Sequence, residues 1–283
     1  MLVKTGFRRE ERVSTRKAWN LRDSLCAVAV NWRMIAAFVR RDIRARYINS
    51  VLGLSWAIVH PLFLLALYAF VFVHVLRLRP IHGGTALDFT LYLFCGMLPW
   101  LAFAEAITRA APAILMHAHL IKKMVFPVEI LPVYVVVSAL LAEIVALVFF
   151  LVALAIVRGL AWTTALIPLL MLLQFLFTVG LAWALATLTV FLRDVAQILG
   201  LALTAWMFLT PIFYPAELVP QGFRWILYLN PMFYLIEGYR NILLNHHVPS
   251  WRVLAPLAAA ALGSYLIGHW VFWRSKGAFV DVL

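Results

Sequence analysis

The chain has 283 residues, of which 65% are hydrophobic and 13% charged, with a mean hydropathy of +0.95 and a formal net charge of +12. Soluble domains average about half apolar and a quarter charged, so this composition excludes a soluble protein and indicates an integral membrane one. The positive charge is distributed as membrane orientation rather than gathered for nucleic acid, and two cysteines, Cys26 and Cys95, supply neither a disulfide framework nor a metal pair.

Residues 1–31 form a basic tail. Met1 to Arg22 carries seven Lys/Arg and two Glu with no apolar core, so no signal peptide is expected and the tail is assigned to the cytoplasm. Residues 32–50 follow as an amphipathic helix. Trp32, Ile35, Val39, Ile43 and Tyr47 recur at helical spacing, with Arg33, Arg40, Arg41 and Arg44 largely on other faces. A basic amphipathic helix with aromatic anchors lies in the membrane interface. It serves either as an anchor held by anionic lipid or, additionally, as a docking surface for a cytoplasmic partner. Asp42 and Arg46 stand four apart and read as ordinary helix support.

Residues 51–283 read as a domain of six membrane-spanning helices, about Leu54–Leu76, Phe89–Thr108, Ile130–Val157, within Gly159–Leu192, Val195–Phe213 and Val253–Trp273. Each exceeds or approaches the ~20 residues needed to cross a bilayer. Helices are the expected element because lipid satisfies no backbone group, and no barrel-like alternation occurs. The fold class is therefore all-α and polytopic. With both ends inside, eighteen of the 24 Lys/Arg fall on inner segments and six on outer ones, which supports that orientation.

Ionisable groups inside the spans are costly and face the bundle interior or an aqueous path. Glu105 has Arg109 at i+4 as a natural partner. Glu143 lies midway along the third span with no local partner, and reads either as a structural hydrogen-bonding group or as part of a pathway or gate. The inner connection 112–130 carries His117, Lys122, Lys123, Pro127 and Glu129. It reads as a positive-inside loop or as a short helix that receives motion from a soluble motor. His117 and His119 have no further His or Cys nearby and are not read as a metal site.

Before the last span, residues 211–245 are broken by Pro211, Pro215, Pro220 and Pro231 yet rich in aromatics, including Phe213, Tyr214, Tyr228, Phe233 and Tyr234. A pair of re-entrant or interfacial helices is expected. One reading is an aromatic belt. The other is an outer gate whose rings stack on sugar faces, with Arg240 as a contact for phosphate or an acidic sugar. The chain has no phosphate-binding loop, no H-E-x-x-H and no G-x-S-x-G, so any energy source for transport lies on another chain or in an ion gradient.

Five segments carry a family resemblance: Phe38–Phe63 (FVRRDIRARYINSVLGLSWAIVHPLF), Leu120–Pro132 (LIKKMVFPVEILP), Phe191–Leu199 (FLRDVAQIL), Thr210–Pro215 (TPIFYP) and Leu229–Leu244 (LNPMFYLIEGYRNILL). In this order and spacing the chain resembles the membrane subunit, or permease, of type 2 ABC exporters that carry O antigen, capsule or teichoic acid across the bacterial inner membrane. The resemblance implies two copies of this chain with two copies of a separate ABC ATPase. That ATPase would hold ATP and Mg, and this chain no cofactor. The substrate would be a lipid-linked polysaccharide, with no enzymatic activity in this chain. By the same resemblance Arg40, Arg41, Asp42, His117, Lys122, Lys123 and Glu129 would couple to the ATPase. Phe213, Tyr214, Tyr228, Phe233, Tyr234 and Arg240 would belong to the periplasmic gate, and Glu143, by its mid-span position alone, is the candidate for the pathway. His60 stands before Pro61 where many relatives have Asn. The runners-up are an exporter of a drug or small lipid, and a polytopic enzyme of lipid-linked sugars.

Overall fold

A computed structural model describes residues 30–47, 59, 62–63, 66–67, 70–75, 85–123 and 126–283. Among these residues all regular structure is helical, as the apolar composition requires of a chain that enters lipid. The basic amphipathic segment is helix α1 (Trp32–Tyr47). The first predicted span, Leu54–Leu76, lies mostly outside the described residues; within it Phe70–Val75 forms a π-helical turn.

Helix α2 (Ala86–Ala110) starts at a capping box in which Thr85 and Asp88 satisfy each other's backbone N–H groups. Two short helices, α3 (Ala113–Met116) and α4 (Ala118–Lys123), lead to α5 (Ile130–Val157). A 3-10 turn (Trp162–Leu166) continues into α6 (Ile167–Phe191). Then come α7 (Val195–Leu209), the short pair α8 (Arg224–Leu229) and α9 (Pro231–Leu243), the long α10 (Trp251–Ser275), and a final turn α11 (Phe279–Val282).

Four stretches are long and apolar enough to cross a membrane: Leu87–Ala110, Ile130–Val157, Trp162–Phe191 and Trp251–Ala278. They coincide with the second, third, fourth and sixth expected spans. The fifth was expected to reach Phe213 but stops at Leu209, after 15 residues. Pro211 disfavours helical backbone at the residue before it, and Thr210 is extended (ψ 132°). At 1.5 Å per residue, α7 is then about 22 Å long against a hydrocarbon core of about 30 Å.

The core is a four-helix arrangement of α2, α5, α6 and α10, with α9 packed on α2, α6 and α10 and α1 laid across the start of α5. The tightest approach is between α6 and α10. A Cβ at Gly180 would lie 2.2 Å from the Ser264 carbonyl carbon, and one at Gly268 would lie 1.9 Å from the Gly180 oxygen. Only small residues let two membrane helices come that close. Trp183 fills the adjacent layer between Tyr265, His269 and Phe272.

Candidate functional site

Functional candidates gather at the two ends of the bundle and at one point in its middle. At the α1 end, the amphipathic helix is fastened by its own charges. Arg109 donates from Nη2 to Asp42 Oδ1 at 2.5 Å and from Nη1 to Glu105 Oε1 at 3.2 Å. The i,i+4 pair expected within α2 is present, and α1 joins it. Arg41 reaches the α3–α4 junction, with its Nη2 3.3 Å from His117 Nε2. His117 Nδ1 lies 2.9 Å from the Ala113 carbonyl. A carbonyl and a guanidinium demand opposite roles of the two ring nitrogens: Nδ1 donates and Nε2 accepts, which is the neutral tautomer. Burial holds the imidazole below its ordinary pKa, opposed by the next-largest effect, the upward pull of the Ala113 carbonyl, with lesser downward contributions from the Arg41 and His119 charges. Around this contact Phe38 packs on His117, Phe126 and Tyr134, and Tyr134 on His117, with ring centres 5.2–5.9 Å apart.

Glu129 is also turned inward. Its carboxylate accepts a hydrogen bond from Lys276 Nζ at 2.6 Å, and its carbonyl accepts one from Trp183 Nε1 at 3.1 Å. Four of the seven coupling candidates, Arg41, Asp42, His117 and Glu129, thus bind other parts of this chain. Arg40 and Lys122 are exposed. The side chain of Lys123 lies outside the described residues.

In the middle of the bundle Glu143 is 3% exposed. Its Oε2 accepts from Gln174 Nε2 at 2.7 Å and its Oε1 from the Tyr239 hydroxyl at 3.0 Å. That hydroxyl is also 3.3 Å from Gln174 Oε1, and Gln174 Nε2 is 3.2 Å from the Pro99 carbonyl. One polar knot therefore ties α2, α5, α6 and α9. Gln174 and Tyr239 were not among the expected site residues. Gln174 carried a legible signal as the sole amide in the uncharged run Gly159–Leu192. Tyr239 was hidden among many aromatics.

At the opposite end, α9 is held by backbone carbonyls. Arg240, 3% exposed, donates from Nη1 to the Pro211 oxygen at 2.8 Å and from Nη2 to the Ile212 oxygen at 3.0 Å, and its guanidinium sits 3.5 Å from the centre of the Tyr92 ring. The side chain expected to meet a phosphate thus closes the turn that ends α7. Asn230 caps α9 through Met232 N, accepts from Trp206 Nε1 at 2.8 Å and donates to Thr210 Oγ1 at 2.8 Å. Two tyrosines make the same staple across a proline turn. Tyr214 donates to the Phe208 carbonyl at 2.8 Å and Tyr234 to the Tyr228 carbonyl at 2.9 Å. Burial pushes both phenols above their ordinary pKa, so both keep the donor proton at neutral pH. Phe213 is buried against Phe208, and Phe233 packs between Tyr228 and Tyr234. Tyr228, Phe223 and Trp225 present exposed rings.

A groove of about 480 Å³ runs between α2 and α7, lined among others by Trp100, Glu105, Thr108, Arg109 and Thr204. It is amphiphilic, with the Glu105–Arg109 pair at one end and apolar walls beyond.

Residues 33–244 match the family model described as ABC-2 type transporter. Curated relatives similar to the chain include two proteins named O-antigen export system permease protein RfbA from Klebsiella pneumoniae, each 28% identical over 253 residues, covering 88% of this chain and 95% of the relative. A protein of the same name from Myxococcus xanthus is 32% identical over 251 residues, covering 88% of this chain and 94% of the relative.

Proposed function

From the premise that the chain belongs to the ABC-2 type transporter family, we propose that it is the permease subunit of an ATP-driven exporter moving a lipid-linked polysaccharide across the bacterial inner membrane. The observation that carries this reading is similarity along 88% of the chain to proteins named O-antigen export permeases. Two copies of the chain pair with two copies of a separate ABC ATPase, which holds ATP and Mg; this chain binds no cofactor of its own. The α1 end, rich in Lys and Arg, faces the cytoplasm, as do both termini. Six spans cross the membrane, α7 being one of them, and α8 with α9 forms a re-entrant pair on the periplasmic side.

Within that frame Lys122 and Lys123 meet the ATPase, while Arg41, Asp42, His117 and Glu129 hold the receiving surface to the bundle. Movement at α1 reaches α2 through the Asp42–Arg109 pair. The α2–α7 groove, facing a second copy, forms half of the passage. Phe213, Tyr214, Tyr228, Phe233 and Tyr234 shape its periplasmic mouth. Glu143 and Arg240 set the position of α9 behind that mouth.

The test is reconstitution in sealed vesicles. The chain alone should hydrolyse no ATP. Together with its ATPase it should hydrolyse ATP and move a lipid-linked glycan to the far side. Lys122→Glu with Lys123→Glu should uncouple the two. Glycan movement without the ATPase, or full export in that double variant, would overturn the respective part of the reading.

A further inference from the structure

A second cavity lies outside the passage, where α1 crosses α5. It measures about 710 Å³, within the roughly 300–1,000 Å³ of ligand pockets. Val39 and Ile43 of α1, Val137 and Leu141 of α5, and Phe175 of α6 line it. From Val133 to Leu141 the groove follows α5 for eight residues, about 12 Å at 1.5 Å per residue. It therefore descends along a spanning helix rather than across the surface. Its rim is different in kind. Arg40 and Arg44 stand there one helical turn apart, both exposed, and neither pairs with a carboxylate among the described residues. The nearest acid on the same helix, Asp42, is held by Arg109. Trp32, also at the rim, is 65% exposed, as an interfacial indole is.

We propose that this groove holds one anionic phospholipid of the surrounding bilayer, with an acyl chain lying along α5 and its phosphate between Arg40 and Arg44. Each part of the groove suits one part of that molecule. The apolar walls, Val39, Ile43, Val137 and Leu141, suit an acyl chain laid along α5. Guanidinium groups bind phosphate by paired, charge-assisted hydrogen bonds, and basic pockets at the cytoplasmic surface select anionic headgroups. An uncharged segment of this chain would leave both arginines unused. A second copy would bring its own basic α1 against this one. The lipid would fasten α1 to α5 where protein contacts leave a gap, and it is distinct from the transported molecule. The assignment does not depend on the export reading.

The experiment uses the full chain with its ATPase, extracted in mild detergent from vesicles containing equal amounts of phosphatidylglycerol and phosphatidylcholine. Retained lipid is identified by mass spectrometry. The wild type should keep one phosphatidylglycerol per chain in preference to phosphatidylcholine. Arg40→Gln with Arg44→Gln should reduce that preference roughly fivefold per arginine. Val137→Phe, which fills the channel and keeps both charges, should lower retained lipid to background, and it serves as the independent arm should the arginine variant fail to fold. Equal retention of the two lipids by the wild type, or undiminished retention in both variants, overturns the proposal. So does recovery of a polyprenyl phosphate in place of the phospholipid. A cross-link from Val137→Cys to residues 51–76 in lipid-free protein would likewise overturn it, by showing the groove filled from within.

Discussion

The two ends of the bundle are fastened by opposite means. At the α1 end, side chains of one element pair with side chains of another, a more exposed partner meeting a less exposed one: Arg109 with Asp42, Arg41 with His117, Lys276 with Glu129. At the α9 end, the buried Arg240 and the half-buried Tyr214 and Tyr234 reach backbone carbonyls: Arg240 to Pro211 and Ile212, Tyr214 to Phe208, Tyr234 to Tyr228. The difference follows from where each end's polar groups lie. Four prolines free carbonyls in 211–231, and lipid cannot satisfy them, so side chains must. On the proposed topology the α1 end faces the cytoplasm, where carbonyls can be hydrated and charge pairing gives direction. One end is thereby adjustable by salt and pH, while the other is fixed.

The largest effect expected from this contrast is at Arg240. Replacing it by Met keeps the bulk but leaves the Pro211 and Ile212 carbonyls unpaired, a loss of about 3 kcal/mol. The melting temperature in detergent should fall sharply, and proteolysis at 211–223 should rise. A near-neutral result would mean water can reach this turn. Next comes the mid-bundle knot. Tyr239→Phe removes the hydroxyl that joins α9 to Glu143 and should cost about 1 kcal/mol, in the range measured for hydrogen bonds between membrane helices. Glu143→Gln should cost less than Glu143→Leu, because the amide oxygen can still accept from Gln174.

At the α1 end the effects should be smaller and conditional. Asp42→Asn should cost under about 1 kcal/mol, and the difference from wild type should shrink as salt rises. The same salt should leave Arg240→Met unchanged; a parallel response would erase the contrast between the ends. The smallest effect is at His117. Its pKa is lowered in the fold, so the unfolded chain takes up the proton first on acidification. Stability from this group is complete above the ordinary histidine value of about 6.5. It is lost as pH falls from there toward the folded value. Thermal stability should therefore decline across that window in the wild type and decline less in His117→Asn, whereas Tyr214→Phe should show the wild-type pH profile.

What the sequence revealed depended on distance along the chain. Ile130–Val157 was readable to its end residues because Pro127 and Arg158 bracket an unbroken apolar run. Glu105 with Arg109 was readable because the two are one helical turn apart. Asp42, 67 positions from Arg109, was not connected with it because periodicity speaks only within a helix; the side chain of its expected i,i+4 partner Arg46 lies outside the described residues. The same blindness separated Glu143 from Tyr239, 96 positions on. Arg240 looked available for a ligand since an arginine among aromatics resembles a binding residue. Its actual partners are carbonyls, which every residue has and no sequence marks. The end of α7 was placed four residues late because the apolar run continues through Phe213, past the point where Pro211 breaks the backbone.

The contact between Gly180 and Gly268 bears on how such a bundle could change shape. Backbones in van der Waals contact cannot slide without collision, and no side chains lie between them to change rotamer. Helices α6 and α10 therefore travel together as a single beam. Opening and closing must be absorbed elsewhere, at joints where side chains intervene, and the α2–α7 groove is one of these. A spin label on each of α6 and α10 would then report one unchanging separation throughout a transport cycle, while the distance from either to α7 varies.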